Sequence, residues 1–139
     1  MKVLILFIGL LAFSIRLSAQ TTDTSNVASK DTITSIEHLD SPPGFPGGVQ
    51  KFNEYIKKNF KFSKFDLDNH IVGGINFIRF VVEKDGSLTH IEPLRSSTPD
   101  TEKESIRLIK ESPKWIPAMS GGKPCRVRFT VPIRYQVPE

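Results

Sequence analysis

The sequence is poor in the residues that build metal centres and disulfide scaffolds. Its 139 residues include one cysteine, Cys125, which excludes an intramolecular disulfide. Cys125 lies in an apolar register, so we interpret it as a buried small hydrophobic residue. The three histidines show none of the spacings of a zinc site: His38, His70 and His90. We therefore predict no metal.

Groupings for catalysis or phosphate binding are also lacking. Asp66 and Asp68 are typical of loop carboxylates rather than an acid/base pair, and Ser96 and Ser97 have no nearby histidine. Three glycine pairs lack the Lys-Ser/Thr ending of a phosphate loop and are interpreted as turns: Gly47-Gly48, Gly73-Gly74 and Gly121-Gly122. The prediction is a protein that is not an enzyme and has no cofactor.

Long hydrophobic runs are missing except at the start of the chain. Lys2 precedes a thirteen-residue apolar run, residues 3–15, shorter than the roughly twenty residues that cross a bilayer. Small residues end this segment near Ala19, which predicts a cleaved signal peptide, residues 1–19, and a periplasmic location. The alternative is a retained inner-membrane anchor, with Arg16 reaching the headgroups.

Strong charge of one sign is absent too. The net charge is +4, and removal of Lys2 and Arg16 with the signal leaves 17 basic and 15 acidic residues. The arginines of the last strand are not massed with stacking aromatics, so we predict no nucleic-acid partner. Residues 20–41 are polar with few aliphatics and predict a disordered linker.

Residues 42–139 have the size and patterning of one domain. Apolar residues at helical spacing predict a first helix that ends near Asn59, followed by a loop over residues 60–70. The Asp85-Gly86 pair predicts a hairpin between strands at residues 75–83 and 87–95, and Thr98 caps a helix that runs to about Glu111.

The last strand is predicted over residues 125–137, where every odd position is apolar. The fold class is therefore α+β, helix-strand-strand-helix-strand, with a three-stranded antiparallel sheet packed on two helices. Pro93 and Pro132 favour edge positions for the second and third strands and a central position for the first. At about twice the usual strand length, the last strand is a candidate for pairing with another chain.

Two kinds of side chain near this strand have alternative interpretations. Trp115, between two prolines, is interpreted as a structural anchor of the core, the alternative being an exposed recognition aromatic. Arg126, Arg128 and Arg134 either keep an exposed face soluble or guide an acidic partner peptide.

Several motifs together resemble a known family. They are Phe45-Pro46-Gly47-Gly48, the hairpin segment 80–87, Ser112-Pro113-Lys114-Trp115-Ile116-Pro117, Gly121-Gly122-Lys123-Pro124 and the segment 129–133. In this order they resemble the C-terminal domain of TonB proteins, in the form common in Bacteroidetes. The resemblance covers residues 42–135. Asn76, Pro93 and Ser63 depart from the family pattern and affect local packing.

The resemblance implies a periplasmic energy-transducing domain in which an extended N-terminal peptide of an outer-membrane transporter, the TonB box, adds as a strand beside the last strand. The expected peptide-binding residues are Arg126, Val127, Arg128, Phe129, Thr130 and Val131. Because Pro132 must direct its missing donor outward, we expect the even residues to present their backbone to the peptide. ExbB/ExbD-type proteins are implied as motor partners if the chain is anchored.

The linker departs from that of a full transducer. The 22 residues between Ala19 and Pro42 span at most about 75 Å, so little of a periplasm could be crossed. Two alternatives to a transport component therefore stay open. One is a free periplasmic peptide-binding adaptor, and the other is a homodimer formed by strand pairing.

Overall fold

The computed structural model describes residues 32–138, which contain three α-helices and five strands in the order helix-helix-strand-strand-helix-strand-strand-strand. A short 3-10 helix, Ile36–His38, comes first. The helices are α1 Gly48–Asn59, α2 Lys64–Asp68 and α3 Pro99–Glu111. The strands are β1 Gly73–Val82, β2 Leu88–Arg95, β3 Ala118–Ser120, β4 Lys123–Cys125 and β5 Val127–Gln136. The predicted signal peptide, residues 1–19, lies outside the described residues.

The main sheet is antiparallel with the strand order β2-β1-β5. This confirms the predicted fold class and the central position of the first strand. Prolines explain the order, because a residue without an N–H is tolerated at an edge and not between two partners. Pro93 lies in β2 and Pro132 in β5.

The core lies between the sheet and the two longer helices. Four side chains in this core are at most 1% exposed: Ile78 and Phe80 of β1, Ile56 of α1 and Leu108 of α3. The start of α3 follows the predicted cap: the Thr98 side chain accepts the N–H of Thr101, and Pro99 occupies the first turn. None of the helices within residues 32–138 has the length and apolar character needed to cross a membrane.

The last strand is shorter than predicted because the chain changes sheets within it. Cys125 pairs with Ala118 in a separate hairpin formed by β3 and β4, whereas Val127 pairs with Val82 of β1. Arg126 is the residue between them, and β5 ends at Gln136 rather than at residue 137. The alternation of apolar residues continues through the switch, which is why the sequence predicted one strand.

The predicted loop 60–70 contains the short helix α2. Ser63 and Asp66 form a reciprocal capping box at its start. The Asp66 carboxylate also accepts the Thr98 hydroxyl at 3.0 Å, which joins α2 to the start of α3. Phe60 stacks on Tyr135 with ring centroids 4.6 Å apart, so an aromatic side chain of this segment packs against β5.

Residues 32–41, which the sequence assigned to the linker, are attached to the domain. The Asp40 N–H donates to the Met119 carbonyl at 2.7 Å, and the Gly122 N–H donates to the Asp40 carboxylate at 2.8 Å. Leu39 also packs against the core, but one isolated apolar residue and main-chain hydrogen bonds are not visible in the composition of the segment. The other linker residues, 20–31, lie outside the described residues.

Candidate functional site

The site is the side of β5 that faces away from β1, here called the β5 edge and defined as residues 128–136. All ten residues of β5 align with β1 without a register shift. Among residues 32–138, the one other bridge to β5 joins Thr34 to Val127 at the start of the strand. From Arg128 onward the edge therefore has no strand partner in the described part of the chain.

The register fixes which backbone groups point outward. Opposite residues in an antiparallel pair alternate between hydrogen-bonded and non-hydrogen-bonded positions. Pro132, opposite Phe77, has no N–H and must take a non-hydrogen-bonded position. Arg128 and Thr130 share its parity, so their N–H and C=O groups point away from β1. The same parity holds at Arg126, whose carbonyl oxygen accepts the Thr34 N–H at 2.8 Å.

The six residues predicted to bind a peptide fall into two groups. Val127 and Val131 are buried against the helices and Phe129 is half-buried, whereas Arg128 and Thr130 are exposed. Arg126 differs from the other even residues because it is only 8 % exposed. Its guanidinium donates to the Glu83 carboxylate at 2.6 and 3.1 Å.

This hydrogen bond from Arg126 lowers the pKa of the Glu83 carboxyl, although partial burial acts in the opposite direction. The Thr89 hydroxyl donates to the same carboxylate. Arg126 therefore joins the start of β5 to the end of β1. Of the arginines predicted to guide a partner, Arg128 and Arg134 are the exposed ones.

An apolar groove of about 430 Å³ runs beside the β5 edge, between the edge and the first half of α1. Its lining comes from the segment before α1, from α1, from Trp115 and from β5: Pro43, Gly44, Phe45, Gly48, Val49, Phe52, Asn53, Trp115, Phe129, Thr130, Val131, Pro132 and Arg134. We call this space the α1–β5 groove. It shares the stretch Thr130–Arg134 with the open backbone.

Trp115 forms the rigid base of the groove. The indole is 4 % exposed, and the rings of Phe45, Phe52, Phe80 and Phe129 surround it with centroid distances of 5.1 to 6.2 Å. The indole N–H donates to the Ser112 hydroxyl at 3.2 Å. This position matches a role as a packing anchor.

The hairpin between β1 and β2 holds the Trp115 backbone in place. The Trp115 N–H donates to the Gly86 carbonyl at 2.8 Å. Gly86 has a φ of 82°, and a Cβ atom there would lie 2.0 Å from the Trp115 carbonyl oxygen. Sequence reasoning identified Asp85-Gly86 as a turn and missed this second requirement, which depends on a contact between distant parts of the chain.

The opposite edge of the sheet, on β2, has a different character. Its pairing with β1 shifts register twice, between Phe77 and Ile78 and between Arg79 and Val81. His90 has a left-handed φ of 50°, and Pro93 interrupts the row of donors. The β2 edge is thus irregular over its whole length.

The described residues contain no candidate metal centre. Within residues 32–138, no three side chains of His, Cys, Asp or Glu come together in a way that could hold a metal ion. What the site offers is a row of main-chain donors and acceptors beside an apolar groove. Such a surface suits the binding of an extended chain.

Comparison with known families identifies the region that contains this surface. Residues 72–137 match the family described as the C-terminal region of the Gram-negative bacterial TonB protein. This part of the chain belongs to the TonB C-terminal family. We call residues 72–137 the TonB region. It includes β1 to β5, and the family is that of a periplasmic, non-catalytic domain associated with transport. The match begins after α1, and the Bacteroidetes form of the family stays a prediction.

Two solution structures of the Helicobacter pylori TonB C-terminal domain are also similar to this chain. For residues 194–285 of that protein the identity is 21% and the TM-score 0.48, with 66% of this chain and 95% of the other covered. For residues 179–285 the identity is again 21% and the TM-score 0.46, with 66% and 81% covered. No curated protein matches the sequence significantly.

Proposed function

We propose that the TonB region binds an extended N-terminal peptide of an outer-membrane transporter, the TonB box, by strand addition to the β5 edge. In this role it is the receiving component of energy-dependent transport across the outer membrane. The observation that carries the proposal is the long, regular and unpartnered edge from Arg128 to Gln136. Main-chain hydrogen bonds supply affinity in this mode, and side chains select the partner.

The bridge to Thr34 supports the proposal from within the chain. The Thr34 N–H reaches the Arg126 carbonyl at a normal hydrogen-bond distance of 2.8 Å. The segment before α1, whose Leu39 packs against the core, therefore pairs at the start of this edge. The predicted docking stretch, Arg126–Val131, includes this occupied position, so we centre the peptide on Arg128 and Thr130.

The N-terminal segment completes the proposal. We propose that residues 1–19 direct the chain to the periplasm and are removed after Ala19. If they are retained, they tether the domain to the inner membrane, where ExbB/ExbD-type proteins are the expected partners. Intact-mass measurement of the protein isolated from its host distinguishes these forms.

The test is a titration of the mature chain, residues 20–139, with periplasm-facing N-terminal peptides of the host's outer-membrane transporters. Backbone amides are followed by NMR. We expect the largest shifts at Arg128 and Thr130. Thr130→Pro removes one outward N–H and should abolish binding while the domain stays folded, because the β1 side of the strand is untouched.

Thr130→Ala is the matched control, since it removes the side chain and keeps the N–H. Equal affinity of Thr130→Pro and wild type would refute strand addition at this edge.

The same open edge also suits self-pairing into a homodimer, and sizing at several concentrations tests for it. If no peptide binds and the edge amides are already protected in a dimer, self-pairing replaces the transport role. If the peptide binds and the protein isolated from its host is soluble and lacks residues 1–19, the adaptor form is favoured.

A further inference from the structure

We infer that the α1–β5 groove receives one bulky apolar side chain of the docked peptide, and that the opposite face of that peptide is acidic. The inference rests on the proposed function, because the groove lies along the same edge. It adds a chemical requirement on the peptide sequence. Strand addition alone imposes none, since every residue except proline offers the same main-chain groups.

The position of the groove follows from strand geometry. An added strand runs about 4.8 Å from β5, beside the residues of this strand that line the groove: Phe129, Thr130, Val131, Pro132 and Arg134. Side chains on directly opposite residues of paired strands share a face of the sheet. Phe129 and Val131 face the helices, so a peptide residue opposite either of them points toward the groove.

The walls of the groove set the chemistry of that side chain. Aromatic and aliphatic side chains dominate the lining, and Arg134 is the one charged residue among the described residues that form it. Val49, at the rim, is 71% exposed. An apolar side chain that enters the groove covers this surface and packs near the fixed rings of Phe45 and Trp115, which are 5.8 Å apart.

Fixed walls lower the cost of binding. Trp115 is held by its indole hydrogen bond and by the backbone bond to Gly86, so the base of the groove is already formed before a peptide arrives. A preformed pocket requires little ordering of protein side chains on binding. Its dimensions fall within the range of ligand pockets, about 300–1,000 Å³.

Charge on the other face identifies the second feature of the peptide. Arg128 and Arg134 are exposed at even positions of β5, whose odd residues face the helices, and Arg134 also lines the end of the groove. Peptide side chains opposite the even residues share their face of the sheet. Acidic residues there complement the two guanidinium groups. The expected sequence therefore alternates, with a bulky apolar residue on one face and carboxylates on the other.

Trp115 is the single tryptophan of the chain, which makes its fluorescence a direct reporter of the groove. The mature chain is titrated with the same transporter N-terminal peptides, and each bulky apolar residue of a binding peptide is replaced by alanine in turn. We expect one position at which the replacement weakens binding roughly tenfold and removes the change in Trp115 emission. Replacing acidic residues of the peptide by their amides should weaken binding and reduce its salt dependence.

Val49→Gln and Val72→Gln form a matched pair, because the two valines are 71% and 74% exposed and only Val49 lines the groove. Val49→Gln should weaken binding several-fold, and Val72→Gln should leave it unchanged. The groove proposal is wrong if the β5 edge amides shift as expected, no apolar residue of the peptide is sensitive to alanine replacement, and the two variants bind with equal affinity. Strand addition would remain supported by that result. Binding that persists unchanged after amidation of every acidic residue would overturn the acidic face. If no transporter peptide shifts the edge amides at all, strand addition fails and the groove proposal fails with it.

Discussion

The two edges of the sheet differ in what they offer to another chain. β5 keeps one register with β1 over ten residues, and its outward groups from Arg128 onward have no strand partner in the described structure. Each edge loses one donor to a proline, Pro93 in β2 and Pro132 in β5, but only β2 shifts register twice and places a residue, His90, in a left-handed conformation. Irregular edges resist unwanted pairing. The β2 edge is thus poorly suited to pairing with another strand, whereas the β5 edge is regular. This difference is expected of a sheet that binds a partner at one edge.

The largest loss of stability is expected from a change in the turn between β1 and β2. Gly86 of this turn shapes the start of β2 and also holds Trp115, which lies beside β5. Gly86→Ala should destabilise the domain by more than about 3 kcal/mol, because the new Cβ would meet the Trp115 carbonyl oxygen at 2.0 Å in a left-handed backbone conformation. Gly122→Ala has a similar φ of 74° with open space around it, so only backbone strain of about 1 kcal/mol is expected. Urea unfolding of the two variants measures the difference. Similar losses would show that the Trp115 contact is not tight.

A smaller effect should distinguish the ion pairs on the two sides of β1. Glu83 pairs with Arg126 of the β5 side, with side chains 20% and 10% exposed, whereas Glu92 of β2 pairs with Arg79, with 50% and 36% exposed. Glu83→Gln should cost about 1 kcal/mol at pH 7, because it weakens a partly buried charge-assisted bond. Glu92→Gln should leave the free energy of unfolding unchanged within error.

The pH dependence follows from the lowered pKa of Glu83. A carboxyl whose folded pKa lies below its unfolded value stabilises the fold above the unfolded pKa, and this contribution is lost as pH falls through the folded pKa. The difference in stability between wild type and Glu83→Gln should therefore shrink below pH 4.5, the ordinary value for the carboxyl. A constant difference down to strongly acidic pH would contradict this assignment.

The smallest effect concerns the start of the β5 edge, where the chain itself is the occupant. Thr34→Pro removes the N–H that donates to Arg126. One main-chain hydrogen bond contributes about 1 kcal/mol net, so a peptide that extends over Arg126 should bind up to about fivefold more tightly. Thr34→Ala keeps the N–H and serves as the control in the same titration. Unchanged affinity would place the peptide entirely beyond Arg126.

Features with local signals were predictable from sequence. The helical spacing of apolar residues predicted α1, Thr98 predicted the start of α3, and the positions of Pro93 and Pro132 predicted the strand order. The capping pair of Ser63 and Asp66 was a local signal for α2 that the sequence interpretation overlooked.

Features that depend on distant partners were not predictable. The Arg126–Glu83 ion pair and the Thr34–Arg126 hydrogen bond join residues far apart in sequence. Neither contact produces a periodic pattern of apolar residues in the sequence. The division between β4 and β5 was hidden because Cys125 and Val127 are both buried, although in different sheets. The α1–β5 groove likewise comes from residues spread between Pro43 and Arg134.

The pairing of β1 with β5 also orders the folding of the chain. β1 and β2 are joined by a tight turn, whereas β1 and β5 pair residues as distant as Gly73 and Gln136. Closing a long loop is slower than closing a hairpin, so we expect the β1–β2 pair to form first and β5 to dock last. The proposed peptide-binding edge therefore exists only after β5 has docked on β1.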